Sequence, residues 1–344
     1  MASHRRPKQP GRTRATVLTA TAAAAVALSA NSAVAEPEPT KRSVKAKVDK
    51  LREDAAAATE KYNGAKEKAD KLQKDVDRLQ DSVARGQGEL NDLRNGLGSM
   101  ATAQYRSGGI DPSMQLLLSA DPDDYLSRAS TLDQLSLKQL GSLKKIQGKQ
   151  RQLEQQRDDA ADKLKDLAKT RKDLGDHKKK VQGKLAEAQK LLNKLTAEER
   201  AEMRAEEERA SRAAGERVEM GNEGTASGRA ASAYEAAKTR VGLPYAWGAE
   251  GPNSFDCSGL TMWAYRQAGI SIPRTSQAQA NAGMRINSMS DLKVGDLVIL
   301  RTDLGHVGFY AGNGQMLHAP KPGAQVRYES IARSGMPFMW GVRI

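Results

Sequence analysis

One cysteine, Cys257, is all that 344 residues contain, so no internal disulfide can hold this chain together. Proline is missing between Pro39 and Pro112 and again between Pro122 and Pro244, so nothing in those stretches forces a helix to stop. Aromatic residues are scarce, at 4%, and unevenly placed. All three tryptophans, all three phenylalanines and five of the eight tyrosines follow residue 229, so a compact core belongs to the C-terminal third and not before it. Beyond the N-terminus no apolar run approaches the roughly 20 residues that a membrane-spanning helix needs. Zinc-finger spacing is absent, as is any basic stripe with interleaved aromatics, which argues against a nucleic-acid partner.

What is present begins with Arg5, Arg6, Lys8, Arg12 and Arg14, a basic start without an acid. An apolar run from Ala15 to Ala30 and the small-x-small stretch Ala33-Val34-Ala35 follow. This order reads as a secretory signal peptide over residues 1–35, and hence a secreted, cell-wall-associated protein. Formal net charge is +13, of which +8 remains beyond residue 35. An exported basic protein meets anionic wall polymers and headgroups.

The proline-free stretches are rich in Ala, Lys, Glu, Asp, Gln and Leu, the composition of long helices. In the first, Val44, Val48, Leu51, Ala55, Ala58, Tyr62, Ala65, Ala69, Leu72, Val76, Leu79 and Val83 recur in alternating steps of four and three. Gly86, Leu90, Leu93, Leu97 and Met100 continue the pattern, a left-handed coiled-coil seam with a weak position at Gly86. In the second, Ile146, Leu153, Ala160, Leu167, Leu174, Val181, Ala188 and Leu195 repeat every seven residues, while Gln150, Arg157, Arg171 and Lys178 break the companion position. Turn chemistry at Gly108-Gly109-Ile110-Asp111-Pro112 and Asp121-Pro122 separates the two runs. An antiparallel helical hairpin over residues 36–220 follows, about 90 Å or more in reach at ~1.5 Å per residue. It serves either as a spacer or as a regulatory arm. From Ala197 to Arg217 the sequence is nearly all Ala, Glu, Arg and Met, which suggests that the second helix frays or runs on as a solvated charged helix. Residues 221–228, rich in Gly, Asn, Ser and Thr, read as a flexible linker.

Residues 229–344 suffice for one compact domain. Ser232–Val241 and Cys257–Ala268 read as helices, with Leu260, Trp263, Ala264 and Ala268 on one face of the second. Strand-like runs follow at Leu297–Leu300, Val307–Tyr310, Gln315–His318 and Gln325–Tyr328. Helices first and strands after predict an α+β domain with an antiparallel sheet. Asn313-Gly314 is a strong hairpin signal, and it joins a strand headed by His306 to one ending at His318. A cysteine at a helix start with two histidines on adjacent strands is the layout of a thiol nucleophile with an imidazole base and a third group that orients the ring. Zinc held by Cys257, His306 and His318 would need closer ligand spacing, so no cofactor is expected. Asp256 is equally suited to capping the helix or to meeting a ligand.

Tyr245-Ala246-Trp247-Gly248, Asp256-Cys257-Ser258-Gly259, Pro273-Arg274-Thr275-Ser276, Gly295-Asp296-Leu297, Gly305-His306-Val307-Gly308 and Leu317-His318-Ala319 resemble, in order and spacing, the NlpC family of bacterial cell-wall cysteine peptidases. The resemblance covers residues 229 to 344 and implies a papain-like fold. It implies hydrolysis of the γ-D-glutamyl to diamino-acid bond of peptidoglycan stem peptides. It makes Cys257 the nucleophile, His306 the base and His318 the orienting group, with Tyr245 ordering the nucleophile or its oxyanion site. Trp247, Asp256, Ser258, Arg274 and Ser276 fall where relatives line the substrate cleft. Ala249 departs from the pattern, since relatives commonly carry a second glycine there. The helical half resembles the arms of cell-separation hydrolases, through Tyr105-Arg106-Ser107-Gly108-Gly109. A long antiparallel coiled-coil hairpin followed by an α+β papain-like domain is therefore expected, acting as a D,L-endopeptidase in wall remodelling or cell separation. Stem peptides are the expected partners, with a membrane-bound divisome or regulator complex engaging the arm. The competing readings are a silent wall-binding scaffold and an amidase or acyltransferase on the same fold.

Overall fold

The computed structural model describes residues 40–106, 114, 122–219 and 228–344. The expected signal peptide, most of the elbow between the long helices and residues 221–227 lie outside the described residues.

Two helices, α1 (Lys41–Arg106) and α2 (Pro122–Leu192), run antiparallel. Their pairing follows the heptad seam from Val44 to Leu97. Val44 and Val48 meet Ala188 and Leu195, Leu72 and Val76 meet Leu167, and Leu90 meets Ile146 and Leu153. The weak seam position is filled from across the pair, for the Leu153 side chain packs into the space above Gly86. The polar interruptions in α2 do not open the seam. Arg157 donates to Gln87 at 2.9 Å and Arg171 to Gln73 at 2.7 Å, so they stitch its exposed edge.

The charged segment differs from expectation. It neither frays nor prolongs α2, but forms a separate helix, α3 (Ala197–Glu219). The cause is local. Thr196 and Glu199 make a reciprocal capping box, with Glu199 N–H donating to Thr196 Oγ1 at 3.2 Å and Thr196 N–H to Glu199 Oε2 at 2.8 Å. Nor is α3 wholly solvated, since Met203 is buried with Val44 and Val48, and Lys41 and Lys45 of α1 pair with Glu202 and Glu206.

After residue 228 come α4 (Gly228–Lys238), α5 (Cys257–Gln267) and the single turn α6 (Ser276–Gln279). The first of these begins four residues earlier than expected and ends before Val241. Six strands follow: β1 (Met284–Ile286), β2 (Leu297–Leu300), β3 (His306–Gly312), β4 (Gln315–His318), β5 (Arg327–Ser330) and β6 (Phe338–Arg343). They make one antiparallel sheet in the order β1-β6-β2-β3-β4-β5. Neither β1 nor β6 was anticipated, and β5 begins two residues after the run read from sequence, because Gln325 bridges Pro244 instead of joining β4. Tyr234 of α4 and Tyr265 of α5 pack on Phe309 of β3, with ring centroids 6.1 and 5.7 Å away, which seats both helices on one face of the sheet. Val298, Leu300, Tyr310, Met316 and Ile331 form a smaller cluster on the other face.

Candidate active site

Cys257 is the first residue of α5 and fully buried. Asp256 stands at the N-cap with extended backbone (φ −93°, ψ 178°) and accepts from Gly259 N–H at 2.7 Å, which fixes the helix start and the sulfur with it. A side chain at position 259 is forbidden, because its Cβ would lie 2.1 Å from the Ala249 carbonyl oxygen. That contact clamps the loop carrying Tyr245 and Trp247 against the helix start. From the sheet side, the Val307 N–H points at the Cys257 sulfur, so the thiol sits at the head of β3, next to His306.

His306 opens β3 and His318 closes β4. The hairpin turn between them has Asn313 and Gly314 at φ +52° and +67°, the left-handed pair that a tight two-residue turn requires. His306 Nε2 and His318 Nδ1 are 2.8 Å apart with the rings nearly perpendicular, at 85°. Gly308 permits the approach, for a Cβ there would lie 2.9 Å from that of His318. Beyond it, His318 Nε2 lies 2.9 Å from Glu329 Oε2 on β5.

The residues assigned to the cleft converge on the same place. Arg274 donates to both Asp256 oxygens, at 3.0 and 2.5 Å, and to Ser258 Oγ at 2.7 Å. Asp256 is thus both the helix cap and the partner of Arg274, whose guanidinium is already matched to a carboxylate of this chain. The hydroxyl of Tyr245 is buried, faces Thr59 and lacks a hydrogen bond of normal geometry.

Residues 242–342 match the NlpC/P60 family. Those residues form an NlpC/P60 domain. A probable endopeptidase of Corynebacterium glutamicum is 50% identical over 109 residues, which are 32% of this chain and 51% of that one. One of Mycobacterium tuberculosis is 46% identical over 110 residues, 32% of this chain and 28% of the relative. The crystal structure of the NlpC/p60 domain of peptidoglycan hydrolase SagA is 36% identical over 33% of this chain and 98% of that chain, with a TM-score of 0.31. The chain thus spans about half of one of these curated relatives and about a quarter of the other.

The NlpC/P60 cleft is not open. Helix α1 lies across it, and Ala55 to Glu60 are all buried. Ala56 joins the main core of the domain, and Ala57 packs beside Gly305. Glu60 reaches the centre of the site. Its Oε1 accepts from Ser258 Oγ at 2.8 Å and faces Cys257 Sγ at 3.4 Å, and its Oε2 accepts from Ser276 N–H at 2.6 Å. One turn on, Asn63 Nδ2 donates to Asp256 Oδ2 at 3.0 Å, and the Tyr62 ring packs against Trp247 with centroids 4.7 Å apart and planes tilted by 60°. Lys321 of the domain pairs with Asp49 and Glu53 of α1, at 3.0 and 3.3 Å.

Sequence reasoning missed Glu60 and Asn63. Both lie off the heptad seam, where polar residues are ordinarily solvated. The available signal was Ala55-Ala56-Ala57-Ala58, a run small all round the helix that lets a second body approach its backbone where a coiled coil needs only one apolar stripe.

Electrostatically the closed site is at rest. Burial, then the neighbouring Asp256 charge, pushes the Glu60 carboxyl up to about 7. Burial and then Glu60 push the Cys257 thiol well above its ordinary value. A helix start and an imidazolium would lower a thiol, and burial here overrides the first while the second is absent. Burial also lowers His306, with His318 adding to it, so the imidazole is neutral. A neutral thiol beside a neutral imidazole is not a nucleophile.

Proposed function

We propose that this chain is a secreted peptidoglycan D,L-endopeptidase held shut by its own coiled-coil arm. The observation that supports it best is the Cys257 thiol, next to the paired His306 and His318, with Glu60 of α1 seated on it in a cleft of an NlpC/P60 domain. The relatives are probable endopeptidases, which points to that activity, and the motif resemblance points to stem peptides of peptidoglycan.

In the open form, His306 takes the Cys257 proton and the thiolate attacks the γ-D-glutamyl carbonyl. N–H groups at the start of α5 and the unpartnered Tyr245 hydroxyl face the oxyanion that forms. The carbon–nitrogen bond breaks as His306 returns the proton to the leaving amine of the diamino acid. Water then attacks the thioester, and the acid and the thiol are regenerated. Residues 1–35 direct export, and a membrane-bound regulator engages the arm to release the cleft at sites of wall remodelling or cell separation.

Mass spectrometry of muropeptides treated with the full chain and with residues 229–344 tests this. The expected product pair is a peptide ending in γ-linked glutamate and one beginning with a free diamino-acid amine, formed faster by the shorter protein. Cys257→Ala and His306→Ala should each stop turnover. Cleavage at another bond, or turnover by Cys257→Ala, would overturn the reading.

A further inference from the structure

The two histidines have a third partner that no motif marks. Glu329 Oε2 on β5 lies 2.9 Å from His318 Nε2 and also accepts from Arg327 Nη2 at 3.0 Å. His318 in turn lies 2.8 Å from His306 through its other ring nitrogen. Strand pairing holds this row in place, because His318 stands opposite Arg327 and Met316 opposite Glu329 on the antiparallel β4 and β5. We propose that Glu329 is a positioning residue that sets the tautomers of both histidines, so that His306 presents its basic nitrogen to Cys257. The proposal rests on the reading of His306 as the base.

Burial opposes the charge on Glu329, but the hydrogen bond from His318 and the Arg327 guanidinium hold the carboxyl below its ordinary value. An ionised carboxylate has only lone pairs to offer, so the proton of the Glu329–His318 bond sits on His318 Nε2. A neutral His318 then has a bare Nδ1, and the 2.8 Å contact needs a proton from the other side, which His306 Nε2 must carry. A neutral His306 with Nε2–H has its free lone pair on Nδ1, the nitrogen left to take the thiol proton. Without Glu329 the row can reverse. His318 Nδ1–H would donate to His306 Nε2, and His306 would carry its proton on Nδ1, where a base needs a lone pair. The carboxylate also faces the positive charge that His306 acquires during the reaction, and it raises the proton affinity of that ring. Sequence alone offers little sign of this role, since Glu329 is eleven residues past His318 and in none of the motifs.

The test uses the full chain with 15N-labelled histidine, in which His177 on α2 serves as an internal reference. In the wild type both His306 and His318 should show the Nε2–H tautomer. Glu329→Leu should lose that signature at His306, and kcat should fall on the order of a hundredfold or more, toward the ~10⁴-fold that a wrong tautomer costs a catalytic imidazole. KM should stay within about twofold, since Glu329 pairs with His318 and Arg327 and with none of Asp256, Ser258, Arg274 and Ser276. Glu329→Gln keeps an acceptor for His318 and Arg327 but no charge. It should retain both tautomers, lose about tenfold in kcat, and move the His306 limb of the pH–rate profile toward acid. Unchanged tautomers in Glu329→Leu would overturn the proposal, as would a kcat within twofold of wild type while His306→Ala is inactive. An active His306→Ala would instead overturn the base assignment on which the proposal rests.

Discussion

The arm should open as pH rises, and Glu60 should be the reason. In the closed form its carboxyl is held near 7 by burial and by Asp256, against an ordinary value of 4.5 once released. Cys257, Ser258, Asp256 and Arg274 face it from the domain, together with the Ser276 N–H and the buried Tyr245. Its folded-closed value is the raised one, so the closed form binds the extra proton. The stabilisation of closure linked to that proton is fully present below about 4.5 and lost as pH climbs through about 7. A difference of this size is worth about 3 kcal/mol. Between pH 5 and pH 8 the part of the opening constant linked to Glu60 should grow about 70-fold, most steeply below pH 7. Glu60→Gln is neutral at every pH and keeps an acceptor for the Ser276 N–H, so it should lack this Glu60-linked rise. The assay is the rate of iodoacetamide labelling of Cys257, which needs no substrate, followed by initial rates on muropeptides. Taking the ratio of wild type to Glu60→Gln cancels the titration of the thiol and of the chemistry. That ratio should climb by one to two orders of magnitude across the range. Parallel profiles for the two proteins would refute the argument.

Two more outcomes follow from the packing. Ala57 of α1 is buried beside Gly305, so Ala57→Arg should wedge the arm from the cleft and speed both labelling and turnover. If 1% of wild-type molecules are open, the ceiling is about a hundredfold, whereas an unchanged labelling rate would show that the contact does not hold the arm. Gly259→Ala should destabilise the domain by about 1–3 kcal/mol, because the new Cβ meets the Ala249 carbonyl oxygen at 2.1 Å. Thermal or urea unfolding reads the loss, and a stability equal to wild type would mean the loop moves freely away from α5.

The sequence was most informative where a pattern repeats or a turn is short. A seam maintained over many heptads leaves little freedom in how α1 and α2 pair. Asn313-Gly314 likewise leaves little freedom in how His306 and His318 face each other across β3 and β4. The end of α2 was harder to see, because Ala197 to Arg217 is helical by composition and only Thr196 and Glu199 mark the restart. Docking of α1 on the cleft was invisible to periodicity. A heptad describes how a helix meets one partner, and between Ala55 and Glu60 this helix meets two. Glu60 and Glu329 belong to that class of residue. Their meaning lies in contacts with segments 198 and 11 positions away, at Ser258 and His318.

The burial of α1 on both sides at Ala55–Glu60 has a kinetic consequence. Ala55 and Ala58 pack with Val181 and Leu185 of α2, while Ala56 and Ala57 pack on the domain. Fraying of α1 alone would therefore have to break the coiled coil and the cleft contacts together, and the cheaper motion carries both helices away as one body. Leakage through local unfolding is suppressed, and a small soluble substrate gains nothing by waiting for a fluctuation. Amide hydrogens of residues 55–60 should accordingly exchange more slowly than the arm departs, because departure as one body leaves their helical hydrogen bonds closed.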